Sequence, residues 1–154
     1  KVIIFMKILL SIILTVAVIS STHANEEFSV SDDQIYEITN SFSECSAIQD
    51  VLALILTRGD EEEYANHYLH SLANGYIIAA QILAAQGGFT EELVTSMYDS
   101  HFSRFITLFK MHKQANKPDE WNAIVETELG KCKALSDLQE YLIAKIRKKI
   151  YKKE

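Results

Sequence analysis

A chain of 154 residues with 48% hydrophobic and 23% charged side chains has the composition of one globular domain, which excludes general disorder. One Pro, five Gly and two Cys argue against a turn-dense β-sandwich and against a small disulfide scaffold. A formal net charge of −6 argues against a nucleic-acid binder, which needs a basic face to neutralise phosphates.

Residues 1–24 read as an export leader. Lys7 precedes an apolar run from Ile8 to Ile19, and Thr22 and Ala24 supply the small residues of a cleavage site. Met6 is the expected initiator, with Lys1 to Phe5 as upstream read-through. The rival is an uncleaved anchor beginning at Val2, but Lys7 interrupts it, and the remaining run spans only about half of a bilayer's hydrocarbon core. Cleavage after Ala24 leaves residues 25–154 as a single helical domain. The simple leader points to a bacterial protein of the periplasm or the medium.

The charge of that domain is uneven. Residues 25–109 carry 14 acids against Arg58 and Arg104, whereas residues 110–154 carry 11 bases against seven acids. Such a dipolar surface steers charged partners. In an oxidising compartment Cys45 and Cys132 are expected to pair, because no C-x-x-C redox motif is present.

The mature chain reads as helices throughout. Ser31 with Gln34 forms a capping-box pattern, and Ile35, Ile38, Phe42, Cys45, Ile48, Leu52 and Ile55 then repeat at helical steps until about Arg58 and Gly59. Asp60 opens a second helix that ends at Gly87 and Gly88. Thr90 caps a third, with Phe89 placed to staple onto Val94, and the helix runs to about Ala115. A fourth begins at Pro118 or Asp119 and carries Trp121, Ile124, Val125, Leu129 and Cys132. Ser136 with Gln139 repeats the capping signature and opens a fifth through Leu138, Leu142, Ile146 and Ile150. The fold expected is an all-α, single-domain bundle of four to five helices with one disulfide.

The second helix has no charged residue from Tyr64 to Thr90. One stripe holds Ala65, Leu69, Leu72, Tyr76, Ala80 and Leu83; another holds Tyr64, Tyr68, Gly75, Ile78 and Ile82. A helix apolar on most of its circumference is expected at the centre of the bundle; otherwise its Tyr64–Tyr68–Ile78–Ile82 side presents a partner interface.

Catalytic signatures are missing: no H-E-x-x-H, G-x-S-x-G, Walker loop or G-x-G-x-x-G occurs. Asp99, Ser100, His101 and Ser103 hold triad residue types, but on a helix His101 points about 200° away from Asp99. The expectation is a protein that is not an enzyme and needs no cofactor. Glu63, His67 and His70 share a helix edge that is a weak candidate for a metal, but it lacks a fourth ligand, and an exposed Glu–His pair with no metal is the expectation. His101 and His112 lie on the core-facing stripe of the third helix with Val94, Tyr98, Phe105 and Leu108. They mark a possible ligand pocket or two hydrogen-bonded core-edge histidines. The basic end, 145–154, favours the helix dipole and offers a weaker route to an anionic membrane surface.

The segment Asn74-Gly75-Tyr76-Ile77-Ile78-Ala79-Ala80 resembles the Gly-Tyr-Ile stretch of small periplasmic helical immunity proteins that neutralise secretion-system toxins. The resemblance covers seven residues and lacks that group's additional Cys near the motif. It implies a helical inhibitor with a protein partner and transfers no functional residues. The function expected is an exported helical binding protein, of inhibitor or immunity type, with Asp60, Glu61, Glu62, Glu63, Tyr64 and Tyr68 as the first partner contacts. The alternative is a small-ligand or metal carrier.

Overall fold

Ser31 starts the first helix through the capping box. The Gln34 backbone N–H donates to the Ser31 hydroxyl at 3.4 Å, and the Ser31 N–H donates to the Gln34 side-chain carbonyl at 3.1 Å. Helix α1 spans Asp32–Ile55, α2 Asp60–Gln86, α3 Glu91–Gln114 and α4 Pro118–Tyr151. The computed structural model describes residues 31–56 and 60–151, without the side chains of 60–65, 146, 147 and 149–151. The leader at 1–24 lies outside the described residues. All four described elements are helices, as the capping and spacing patterns predict, and none of the described helices is long and apolar enough to cross a membrane.

The centre belongs to α1 rather than to the uncharged α2. The other three helices all pack on it, and from Phe42 to Gln49 every residue but Glu44 is buried. Thr39, Ser43, Ser46, Ala47 and Ala53 are small enough for neighbours to close over several faces of α1. Helix α2 lacks charge, yet its exposed His67, His70, Ser71, Asn74 and Gln81 keep one side in water. Its first stripe turns inward, with Tyr76, Ala80 and Leu83 buried, while Tyr68 and Ile78 of the second stripe are exposed.

The buried polar residues of α1 are not all satisfied. Ser43 donates its hydroxyl to the Thr39 carbonyl at 2.9 Å, but the Thr39 hydroxyl is fully buried with no hydrogen-bond partner among the described residues. Thr39→Val keeps the shape and removes the desolvated hydroxyl. It is expected to stabilise the fold by about 1 kcal/mol, a rise of roughly 4 °C in thermal unfolding followed by circular dichroism; a lower midpoint would show that the hydroxyl contributes.

Cys45 and Cys132 form the expected disulfide, tying the middle of α1 to α4 with Cα atoms 5.4 Å apart. Beside it, the Tyr76 hydroxyl donates to the Cys132 carbonyl at 2.8 Å, and the Tyr76 ring lies 6.0 Å from that of Phe42. Here the Gln139 side chain of α4 lies against Gly75 of α2, in the space a Cβ would occupy. A disulfide is compatible with an oxidising, extracytoplasmic location.

The expected fourth and fifth helices are one. Helix α4 runs unbroken for 34 residues, because Ser136 bends its hydroxyl back to the Lys133 carbonyl at 2.8 Å instead of capping a new start. Its surroundings contain no Pro to break the chain. The true stops lie elsewhere. Gly88 adopts φ +72° while the Phe89 N–H donates to the Ala84 carbonyl at 2.8 Å. Asn116, at φ 54°, ends α3 with the Lys117 N–H bonded to the His112 carbonyl at 2.9 Å. Both are left-handed helix stops.

Candidate functional site

Helices α1 and α2 run antiparallel, since Ile35 approaches Gly87 at one end while the Asn66 amide donates to the Ala53 carbonyl at 3.0 Å near the other. Helix α3 returns beside α2 through the tight turn at Gly87–Gly88. Along the seam between α2 and α3 lie two hollows. The outer hollow, about 260 Å³, is lined by Gln81, Ala84, Ala85, Phe89, Glu91 and Val94. Phe89 and Val94 both line it, and the Phe89 and Tyr36 rings pack edge to face with centroids 5.9 Å apart.

The inner hollow, about 130 Å³, is lined by Ser46, Asp50, Asn74, Ile77, Thr95 and Tyr98. Ile77 and Ala84 are seven residues apart on α2, which places the hollows about 10 Å from one another along the seam. Small side chains (Ala84, Ala85, Ser46, Thr95) leave the helices in contact without filling the space between them.

Asp50 organises the inner hollow. Tyr98 donates its hydroxyl to Asp50 Oδ2 at 2.7 Å, and His70 approaches Oδ1 through Nδ1 at 2.6 Å, so Nδ1 carries the hydrogen toward the carboxylate. Burial first, then the Asp50 hydrogen bond and charge, push the Tyr98 hydroxyl well above the ordinary tyrosine range, which keeps it a donor. No Lys or Arg occurs from Gly59 through Ser103. Glu91, Glu92 and Asp99 are exposed on α3, so the formal charges around the seam are all negative.

The residues singled out by sequence are dispersed. The side chains of Asp60, Glu61, Glu62, Glu63 and Tyr64 lie outside the described residues; Tyr68 is 56% exposed. His70 is held by Asp50, and among the described residues no three His, Cys, Asp or Glu side chains gather to hold a metal ion. His101 and His112 sit about 16 Å apart along α3, and neither lines either hollow. His101 Nε2 lies 3.0 Å from Asn40 Oδ1, and His112 Nδ1 lies 3.5 Å from Glu120 Oε2. Of the basic end, Lys145 and Lys148 are exposed, and Arg147, Lys149 and 152–154 have no described side chains.

Asp50 was not singled out, although it is the only charged residue from Cys45 to Thr57. A lone carboxylate in an apolar stretch demands partners. Locating them on two other helices requires the fold.

His101 belongs to a separate polar cluster. Glu44 lies 3.9 Å from its Nδ1 and pairs with Arg104; Glu128 and Lys131 act on it from α4. Burial outweighs these charges and lowers the His101 pKa below the ordinary histidine value. The folded state thus takes up this proton less readily than the unfolded chain. The contribution of neutral His101 is complete above about pH 6.5 and is lost as pH falls below it toward the folded value. Urea unfolding at pH 7.5 and 5.5 is expected to show a larger loss of stability for the wild type than for His101→Gln; equal losses would contradict this assignment.

No family model, curated protein or solved structure matches this chain.

Proposed function

We propose that this chain is an exported, non-enzymatic helical binding protein of inhibitor or immunity type, and that a basic protein partner docks along the α2–α3 seam. The observation that carries the reading is the pairing, on one seam, of two hollows that each set apolar walls beside a carboxylate, Glu91 in the outer and Asp50 in the inner, over a stretch without any Lys or Arg. An apolar anchor point beside desolvated polar groups is how binding energy concentrates at protein interfaces, and the uniform charge sign selects and steers a basic partner. The disulfide supports export, since such bonds persist outside reducing compartments.

The carrier alternative has less support. Drug-sized ligands occupy pockets of about 300–1,000 Å³, and both hollows are smaller and open along the surface. They suit individual side chains of a macromolecule.

Ala85 is exposed at the outer hollow, so Ala85→Arg places a positive charge there without disturbing the core. With the wild-type protein as bait in envelope and secreted fractions of the producing cells, a basic protein is expected to be retained. Ala85→Arg is expected to reduce its retention at least about tenfold, a loss of roughly 1.4 kcal/mol. Equal retention by both baits would refute docking at the seam.

A further inference from the structure

Asp50 and Glu44 are both carboxylates on the same helix, with side chains similarly exposed at 22% and 16%. Their surroundings differ. Glu44 has a fixed cation, the Arg104 guanidinium. Asp50 has none: among the described residues, only the His70 imidazole stands within ion-pair range of it, and no Lys or Arg does. A carboxylate oxygen accepts two hydrogen bonds, so one donor on each oxygen leaves acceptor capacity on both.

The walls of the hollow complement that capacity. Ser46, Asn74, Thr95 and the Tyr98 hydroxyl bring further oxygen acceptors around Asp50, while Ile77 supplies an apolar wall and Tyr98 an aromatic ring that is itself stacked on Phe102 at 5.8 Å. About 130 Å³ accommodates the end of one side chain. A guanidinium is planar, stacks on aromatic rings and directs five N–H donors outward, whereas an ammonium offers three from a point. Dispersed acceptors beside a ring favour the former. Asp50 is the single carboxylate lining the hollow, and among the described residues no three His, Cys, Asp or Glu side chains gather to hold a metal ion.

We infer that the inner hollow is a guanidinium subsite, in which Asp50 receives an arginine side chain of the partner while Ile77 and Tyr98 enclose its stem. The inference rests on the seam as the docking surface and identifies the side chain that enters it. The outer hollow, about 10 Å away, then takes an apolar residue of the same segment, a spacing of about seven residues on a helix or three in an extended strand.

The test uses the oxidised full chain at pH 8 and N-acetyl-arginine amide as probe, followed by NMR. Saturable shifts centred on Ser46, Asn74, Thr95 and Tyr98 are expected at millimolar probe, with at least about a tenfold smaller response to the neutral isostere N-acetyl-citrulline amide. Asp50→Asn is expected to weaken binding about tenfold. Because it also alters the bonds to His70 and Tyr98, Thr95→Lys provides a second variant that leaves Asp50 in place and fills the hollow with an internal cation. It is expected to abolish the response. Equal responses to arginine and citrulline, shifts centred elsewhere, or undiminished binding by Thr95→Lys would overturn the inference. Loss of partner capture in Ala85→Arg with no arginine response would discard the subsite and keep the docking surface; an arginine response with capture unchanged would do the reverse.

Discussion

Removing the Cys45–Cys132 bridge is expected to cost about 4 kcal/mol, because the bond closes a very long loop whose freedom the unfolded chain would regain. The two cysteines are separated by 87 positions, and the link joins the central helix to the last one. Against a total stability of roughly 5–15 kcal/mol, that loss is a large fraction of the whole. The Cys45→Ala/Cys132→Ala double variant avoids burying two new hydroxyls at positions that are 2% exposed. Its thermal midpoint is expected to fall on the order of 15 °C relative to the oxidised protein. A change under about 1 kcal/mol would show that the loop is already restricted in the unfolded ensemble.

Phe42→Ala is expected to cost about 4 kcal/mol, within the range for deleting a fully buried aromatic ring. Phe42 has no exposed surface and packs beside Tyr76. The cavity would form where α1, α2 and α4 are already held, by the disulfide and by the Tyr76–Cys132 hydrogen bond. Those ties oppose collapse, and poor relaxation raises the penalty. Phe42 is one helical turn from Cys45, so the two variants are not expected to add: without the bridge, α4 can move into the space. Chemical denaturation of the single and combined variants measures both the cost and the coupling. Additive losses would contradict the view that the bridge resists collapse.

Much of the fold is legible in local chemistry. Ser31 and Gln34 cap α1 as their spacing predicts, Thr90 accepts the Leu93 N–H at 3.3 Å at the start of α3, and the only two cysteines meet. These features depend on nearby residues or on elimination. The order of helices in space does not. Charge-free composition marked α2 as central, but the helix that the other three pack against is α1, whose Phe42–Gln49 stretch is buried but for Glu44. Ser136 carries the letters of a cap, yet in the absence of a chain break its hydroxyl bonds backward and the helix continues.

The candidate site is less legible, since it is assembled from three helices. Asp50, His70 and Tyr98 are separated by 20 and 48 positions from Asp50, and no periodicity links them. The sequence does carry two fragments of the site: the lone charge at Asp50 and the absence of Lys and Arg over α2 and the first half of α3. Their meaning emerges when the antiparallel α1–α2 pair and the return of α3 bring them to one surface. His101 and His112 illustrate the opposite case, with a shared stripe but separate partners on α1 and α4.

The seam itself is tested most directly by placing a photoreactive benzoylphenylalanine at Ala85, and separately at Thr107 on the opposite face of α3, about 180° from Tyr98. Both positions are exposed. Illumination in the producing cells is expected to join the Ala85 derivative to a basic protein and to leave the Thr107 derivative unlinked. Adducts of the same protein at Thr107 but not at Ala85 would contradict docking between α2 and α3.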